Sequence, residues 1–121
     1  MQRTILIVED YEEARSFMKF LMKSYGYQVI EAGNGLEAIE SVRHNRPDLV
    51  LIDVSMPGMD GLTATREIRK IEETANIPII AVTAHGKWFY EQAIEAGCND
   101  LINKPVNTEN LEPLLSRYLS Q

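Results

Sequence analysis

The sequence predicts an α/β fold in which helices cover both faces of a parallel sheet. Short apolar runs typical of buried strands alternate five times with helical stripes of apolar residues, which is the pattern of repeated strand–helix units. Residues 5–8 and 49–52 are apolar at every position, which indicates strands that are buried on both faces. We therefore expect a five-stranded parallel sheet that is doubly wound.

Length and composition indicate one ordinary globular domain, which we expect to span residues 1–121. No apolar run approaches the ~20 residues of a membrane-spanning helix, so we expect no membrane insertion. A net charge of −6 argues against direct binding of nucleic acid, whose phosphates attract clustered Lys and Arg. The lone Cys98, and a first segment unlike a secretory signal, favour a cytoplasmic location.

The apolar runs place the five strands at residues 4–8, 28–31, 49–53, 79–83 and 100–103. Apolar residues three and four positions apart predict the first helix, which ends at Gly26. Its expected buried face consists of Ala14, Phe17, Met18, Leu21, Met22 and Tyr25.

The second and third helices have weaker apolar stripes and are predicted over residues 36–44 and 62–73. In the second helix, the stripe consists of Leu36, Ile39 and Val42. The last helix is expected to begin after Asn107 as its N-cap. Its apolar stripe consists of Leu111, Leu114, Leu115, Tyr118 and Leu119.

Polar residues end or directly follow four of the predicted strands, at the sheet edge where the carboxyl ends of parallel strands meet. In an open sheet of this kind, ligands bind at that edge, where the winding reverses. The residues are Glu9, Asp10, Asp53, Thr83 and Lys104. Each close pair of carboxylates repels by ~4 kcal/mol at an effective dielectric constant of about 20, so we expect a cation to bind among them.

Mg²⁺ suits such a site because it prefers oxygen ligands and typically binds through one or two carboxylates plus a phosphate. Mn²⁺ is an alternative ion. Taken alone, Glu9 and Asp10 also fit a solvated loop in which Asp10 caps the next helix. A lone strand-end Asp53 equally fits a structural role, so the residues by themselves leave these alternatives open.

Four motifs together resemble the receiver domains of two-component response regulators, the CheY-like family, over essentially the whole chain. They are ILIVED at residues 5–10, PDLVLIDVSMPGMDG at 47–61, IIAVTA at 79–84 and NKP at 103–105. The resemblance implies a flavodoxin-like fold with strand order 2-1-3-4-5. It also implies a phosphoacceptor that is not a turnover enzyme, with a sensor histidine kinase or histidine phosphotransfer protein as donor and an unknown downstream protein or output domain as target.

The resemblance implies a role for each residue at the sheet edge. Asp53 matches the phosphoacceptor, a carboxylate nucleophile that forms an acyl phosphate. Asp10 matches a direct Mg²⁺ ligand and Glu9 a ligand acting through water, while the main-chain carbonyl of Ser55 completes the protein ligands. Lys104 matches the cation that neutralises charge developing on the phosphoryl group during transfer.

The resemblance also implies how the signal leaves the site. Thr83 matches the switch hydroxyl that hydrogen-bonds the phosphoryl group, and Ala84 would leave room for that group. The peptide bond between Lys104 and Pro105 is expected to be cis by the same resemblance.

One position departs from the family pattern. Receivers usually carry Tyr or Phe three residues before the lysine, but this chain has Leu101, which puts the usual output surface in doubt. The fourth helix instead begins with Trp88, Phe89 and Tyr90, which point around about 200° of a helix and cannot all be buried. Phe89 is the expected core residue, so Trp88 and Tyr90 are candidates for a partner surface or for a lid over the neighbouring loop.

Three rival functions remain at this point. A Mg²⁺-dependent phosphohydrolase of the haloacid dehalogenase type also uses a strand-end Asp, but it needs a second Asp two residues later, where this chain has Ser55. A nucleotide or flavin binder is disfavoured because the sequence has neither a Gly-rich phosphate fingerprint nor a Walker lysine motif. The third alternative is a receiver that has lost phosphorylation and serves only as an interaction module.

Overall fold

A computed structural model describes residues 2–119, in which five strands alternate with five α-helices. The elements are β1 (Thr4–Val8), α1 (Glu12–Ser24), β2 (Gln28–Ala32), α2 (Gly35–Asn45), β3 (Leu49–Asp53), α3 (Gly61–Lys70), β4 (Ile79–Thr83), α4 (Gly86–Ala96), β5 (Asp100–Asn103) and α5 (Thr108–Leu119). A short 3-10 turn, Glu72–Thr74, separates α3 from β4. This alternation confirms the predicted α/β class.

The five strands form one parallel sheet in the order β2-β1-β3-β4-β5, which confirms the order that the family resemblance implied. β1 lies between β2 and β3, so that Val8 is paired with both Ala32 and Ile52. The winding therefore reverses between β1 and β3, and a crevice opens at their carboxyl ends. Asp53, the last residue of β3, lies at this crevice.

The sheet separates two apolar cores because successive strand residues point to opposite faces. In β1, Leu6 and Val8 face the core formed with α2, α3 and α4, whereas Ile5 and Ile7 face the core formed with α1 and α5. All four side chains are fully buried. Burying a side chain of this size contributes about 1.5–3 kcal/mol, so packing on both faces holds the strand ends that carry the site.

Helix α1 is predicted to bury Phe17, but the structure leaves 52% of this residue exposed. Met18 and Met22 occupy the buried centre of the helix face. Phe17 lies at the edge of that face, beside Pro105 and Val106 along an open groove. The predicted apolar face is therefore correct at its centre and wrong at Phe17.

The predicted stripe of α2 is wrong at Leu36, which is 65% exposed. The helix begins at Gly35, and it buries Gly35, Ala38 and Val42. A Cβ added to Gly35 would lie 2.9 Å from both the main-chain oxygen and the side-chain Cγ of Met59, so only glycine lets the helix start pack this closely on Met59. This close approach fixes the rotation of α2 and turns Leu36 outward.

Helix α3 ends at Lys70 rather than at residue 73, because Ile71 adopts an extended backbone with φ −85° and ψ 116°. The Thr74 hydroxyl donates to the carbonyl oxygens of Ile68 (3.1 Å) and Ile71 (3.3 Å), which folds the following residues into the 3-10 turn. At the other edge of the sheet, β2 continues to Ala32, one residue beyond its predicted end.

The start of α5 agrees with the prediction. The Asn107 side-chain oxygen accepts a hydrogen bond from the Asn110 N–H (3.0 Å), and the Asn110 side-chain oxygen accepts one from the Asn107 N–H (2.9 Å). The two residues satisfy each other's backbone donors in the manner of a capping box. Asn107 is thereby confirmed as the N-cap.

Candidate functional site

The crevice brings together three carboxylates that are far apart in the sequence. Asp53 is 5% exposed at the end of β3, and Glu9, which follows β1, is 2% exposed. Asp10 is exposed beside them. One carboxylate oxygen from each residue lies within 4.8 Å of the other two. The proximity follows from the register of β1 and β3, since residues that follow paired strand ends emerge side by side.

Lys104 supplies the positive charge of the site. Its ammonium nitrogen lies 3.4 Å from the Asp53 Oδ2 atom and 3.6 Å from the Glu9 Oε1 atom. The backbone of Lys104 is fixed by its N–H, which donates to the main-chain oxygen of Thr83 (2.8 Å). The peptide bond that joins Lys104 to Pro105 is cis. One ammonium group therefore faces two buried carboxylates.

The buried carboxylate of Glu9 has fewer hydrogen bonds than its two oxygens could accept. Its Oε2 atom accepts a hydrogen bond from the Tyr11 N–H (3.1 Å), but its buried Oε1 atom has no hydrogen-bond partner. Burial raises the pKa of Glu9 from 4.5 to about 7, and the neighbouring Asp53 carboxylate adds to the rise. The Tyr11 N–H and the Lys104 ammonium act in the opposite direction without cancelling it.

The residues of this acidic cluster fit a hard divalent cation. The ligands that Glu9, Asp10 and Asp53 offer are all carboxylate oxygens, and the buried Glu9 Oε1 atom has no hydrogen-bond partner. Mg²⁺ takes oxygen ligands and retains several waters, which the exposed Asp10 side of the cluster can accommodate. Asp10 does not cap α1, because the N-cap position is Tyr11 and no side chain bonds there. The alternative in which Asp10 is a cap is therefore wrong.

Asp53 is held in place by the loop that follows β3. Its Oδ1 atom accepts a hydrogen bond from the Ser55 N–H (3.2 Å). The main-chain oxygen of Val54 accepts from the Gly61 N–H (3.0 Å), and a Cβ added to Gly61 would overlap the main-chain oxygen of Asp53. Glycine at position 61 is thus required for α3 to begin against the strand end.

Thr83 lies at the end of β4, next to β3, and is 2% exposed. Its hydroxyl oxygen accepts a hydrogen bond from the His85 N–H (3.1 Å). Ala84, the next residue, is exposed. The buried threonine hydroxyl therefore adjoins the crevice while its own bond is made to the loop that begins α4.

The three aromatic residues at the start of α4 are partly buried and partly exposed, as the helix geometry requires. Phe89 is half-buried and packs on the core that contains α2, α3 and α4, as predicted. Trp88 is 77% exposed and Tyr90 is 51% exposed, so neither forms a lid. Leu101, at the position where receivers usually carry an aromatic residue, is half-buried against the same core as Phe89.

Two features of the site were missed by the sequence reasoning. Arg15 donates to the main-chain oxygen of Glu9 (2.9 Å) and to the Glu31 carboxylate (3.1 Å), so it ties the loop after β1 to β2. An apolar groove of about 480 Å³ adjoins the acidic cluster between α1 and the loop after β5. It is lined by Glu9, Ala14, Phe17, Met18, Lys104, Pro105 and Val106. No local sequence signal indicated it, because the groove forms only where α1 lies beside the loop after β5.

Known proteins with similar sequences belong to the family that the motifs of this chain resemble. A profile described as the response regulator receiver domain matches residues 5–116. The chain is 36% identical over 120 residues to the polar-differentiation response regulator DivK of Brucella anthropi, covering 98% of both chains. It is 35% identical to DivK of Brucella ovis with the same coverage.

Solved structures show the same likeness. The receiver domain of a sensor histidine kinase from Pseudomonas aeruginosa PAO1, which has a magnesium ion coordinated in its active-site cleft, matches with a TM-score of 0.92, 34% identity and full coverage of both chains. The chemotaxis protein CheY4 of Vibrio cholerae matches with a TM-score of 0.91 and 28% identity, over 98% of this chain and 100% of that one.

The strand order and the structural likeness place the chain among the flavodoxin-like modules of two-component signal transduction. Within that class, the chain belongs to the response regulator receiver domain family. Its members are signalling phosphoacceptors and not turnover enzymes on external substrates, so the phosphohydrolase alternative is not favoured. In residues 2–119, no helix is long and apolar enough to cross a membrane.

The raised pKa of Glu9 leads to a pH-dependent stability in metal-free protein. Above pH 4.5 the unfolded chain releases this proton, while the folded chain retains it until about pH 7. In EDTA, the free energy of unfolding should therefore fall through this window, by about 3 kcal/mol for a rise in pKa from 4.5 to about 7. Below pH 4.5 the group is protonated in both states and the cost vanishes.

Denaturant titrations across that pH window, on wild type and Glu9→Gln, measure this effect. The Gln side chain cannot ionise, so the variant should lack the Glu9 part of the decline. Glu12→Gln, which alters an exposed carboxylate in the first turn of α1, should decline as wild type does. Parallel declines for wild type and Glu9→Gln would show that burial does not perturb Glu9.

Proposed function

We propose that this chain receives a phosphoryl group on Asp53 in a Mg²⁺-dependent reaction and changes conformation to regulate a partner protein or output domain. The donor is a sensor histidine kinase or a histidine phosphotransfer protein. The observation that carries the proposal is the buried Asp53 carboxylate, 3.4 Å from the Lys104 ammonium and clustered with Glu9 and Asp10. Membership of the receiver family supports the same reaction.

In the proposed transfer, a carboxylate oxygen of Asp53 attacks the phosphorus of a donor phosphohistidine. The new O–P bond forms an acyl phosphate as the P–N bond to the donor imidazole breaks. Lys104 neutralises negative charge on the phosphoryl oxygens, and burial of Asp53 strengthens this interaction by excluding water. The Ser55 N–H orients the attacking carboxylate through its bond to Oδ1.

Asp10 and Asp53 would hold Mg²⁺ directly, Glu9 would act through water, and the main-chain carbonyl of Ser55 would complete the protein ligands. When bound, the cation supplies positive charge that shields the incoming phosphoryl group from the acidic cluster. Mn²⁺, which also accepts oxygen ligands, is the alternative ion. Support comes from the buried Glu9 oxygen that lacks a hydrogen bond and from the magnesium ion in the related Pseudomonas receiver structure.

The conformational response is proposed to begin at Thr83. Its hydroxyl would turn from the His85 N–H to the phosphoryl group on Asp53, into space that the small Ala84 leaves open. Because Leu101 replaces the usual aromatic residue, the response is proposed to leave through the start of α4. Exposed Trp88, together with Tyr90 on the same helix, supplies an aromatic surface there, and such residues are frequent binding hot spots.

The donor is proposed to dock at the other aromatic surface, which lies on α1. Phe17 and Phe20 are 52% and 69% exposed, and Phe17 lines the groove that ends at Glu9 and Lys104. A protein seated there would bring its phosphohistidine to the side of the crevice where Asp53 lies. A cytoplasmic location is proposed with these partners, in keeping with the single buried Cys98.

Replacing the proposed nucleophile tests the acceptor assignment. Asp53→Asn should abolish labelling by acetyl phosphate in Mg²⁺, because an amide is not a nucleophile for phosphorus. Intact-mass spectrometry detects one phosphoryl group per wild-type chain. Asp60→Asn, which retains an N-cap oxygen on α3 outside the acidic cluster, should label as wild type does. A stable Asp53→Asn protein that gains the same mass would move the acceptor elsewhere.

The proposed output surface can be observed directly through Trp88, the one tryptophan of the sequence. Adding beryllofluoride, a phosphoryl mimic, with Mg²⁺ should change Trp88 emission because its helix begins three residues after Thr83. The change should disappear in Thr83→Ala while ¹⁹F NMR still detects bound mimic. Emission that stays constant in wild type with the mimic bound would place the output surface away from α4.

A further inference from the structure

Helix α4 is capped by a residue from a different strand. Its own N-cap residue, His85, makes no side-chain capping bond. Instead, the Asn103 side-chain oxygen, from the end of β5, accepts a hydrogen bond from the Gly86 N–H (2.8 Å). A Cβ added to Gly86 would overlap the Asn103 amide group, so glycine allows this close contact. The first turn of α4 is thereby attached to the residue that precedes Lys104.

The backbone N–H of the residue before Gly86 also donates to a side-chain oxygen. The Thr83 hydroxyl oxygen accepts from the His85 N–H (3.1 Å), so two successive backbone donors bond to two side-chain acceptors. Thr83 and Asn103 are register partners on the adjacent strands β4 and β5. The Lys104 N–H bonds to the main-chain oxygen of Thr83 (2.8 Å) and holds these strand ends together. We call this pair of contacts, Thr83 to His85 and Asn103 to Gly86, the α4 clasp.

The surroundings of the α4 clasp allow the helix start to move. A surface cavity of about 460 Å³ adjoins it, lined by Ala84, His85, Gly86, Lys87, Trp88 and Asn103. Asn103 itself is anchored, because its main-chain oxygen accepts from the Asn110 side-chain amide (3.2 Å). If the clasp opens, the segment that is free to shift is therefore the start of α4 rather than the end of β5.

We propose that Asn103 is a positioning residue that holds α4 in its unphosphorylated arrangement, and that its bond to Gly86 breaks when Thr83 turns to the phosphoryl group. This inference rests on the proposed function of Asp53 and Thr83. The two amides are consecutive, so when the Thr83 hydroxyl turns away from the His85 N–H, the backbone that also carries the Gly86 N–H is released to shift. The clasp opposes the switch, and the opening of both contacts is what frees α4.

Beryllofluoride titrations in Mg²⁺, followed by ¹⁹F NMR, measure the balance between the two arrangements. Removing a contact made only in the unphosphorylated arrangement favours the other one, so Asn103→Ala should bind the mimic about fivefold more tightly, the equilibrium equivalent of losing one N-cap bond. Asn103→Asp, which keeps an acceptor oxygen at the helix N-terminus, should return the affinity to the wild-type value. The Asn103→Ala melting temperature should also fall, by about 4 °C.

Asn34→Ala is the matched control, because the Asn34 side-chain oxygen caps α2 with a bond of the same length, 2.8 Å, to the Glu37 N–H. It should melt lower than wild type without a change in mimic affinity. An Asn103→Ala affinity equal to or weaker than wild type would overturn the positioning role and leave Asn103 as an ordinary cap. Failure of wild type to bind the mimic would instead overturn the proposed function, and with it this inference.

Discussion

Two buried carboxylates share a single ammonium group at the strand ends, and this shortage of positive charge shapes the site and the loops around it. Asp53 and Glu9 are nearly inaccessible, and Lys104 lies within 4 Å of both. Buried charges are costly unless they are paired and hydrogen-bonded, and here one Glu9 oxygen has no hydrogen-bond partner. The site is therefore incomplete as a purely structural arrangement, and a bound cation would supply the positive charge that it lacks.

The parallel sheet offsets the free-energy cost of this buried charge. Each charged residue lies at the end of a strand, or directly after one, and apolar packing on both faces of the sheet holds these strands. Leu51 and Ile52 lead to Asp53 and point into opposite cores. Close approaches at Gly61 and Gly86 then bring α3 and α4 directly against the strand ends. When the charge at Asp53 changes, the packed strands are therefore expected to stay in place. The loops after the strands and the first turns of α3 and α4 are the parts that can move.

The strand ends could be predicted well from the sequence, because an unbroken apolar run such as residues 49–52 indicates burial on both faces. This signal does not depend on which distant residues the strand contacts. Contacts between distant residues explain the failures. Leu36 is exposed because Met59 fixes the rotation of α2, and α3 ends early because Thr74 bonds back to Ile68. The link between Asn103 and Gly86 could not be predicted, since the side chain that accepts from the first turn of α4 comes from another strand, 17 residues further along the chain.

The melting temperature of wild type and Asp10→Asn as a function of Mg²⁺ concentration tests most directly whether the acidic cluster is a cation site. A ligand that binds only the folded state at a hundred times its Kd adds about 2.7 kcal/mol of stability. A cation site in the acidic cluster predicts a saturable rise in wild type, a much smaller rise in Asp10→Asn and a wild-type rise in the Glu12→Gln control. Equal rises in all three proteins, or none in wild type, would contradict it.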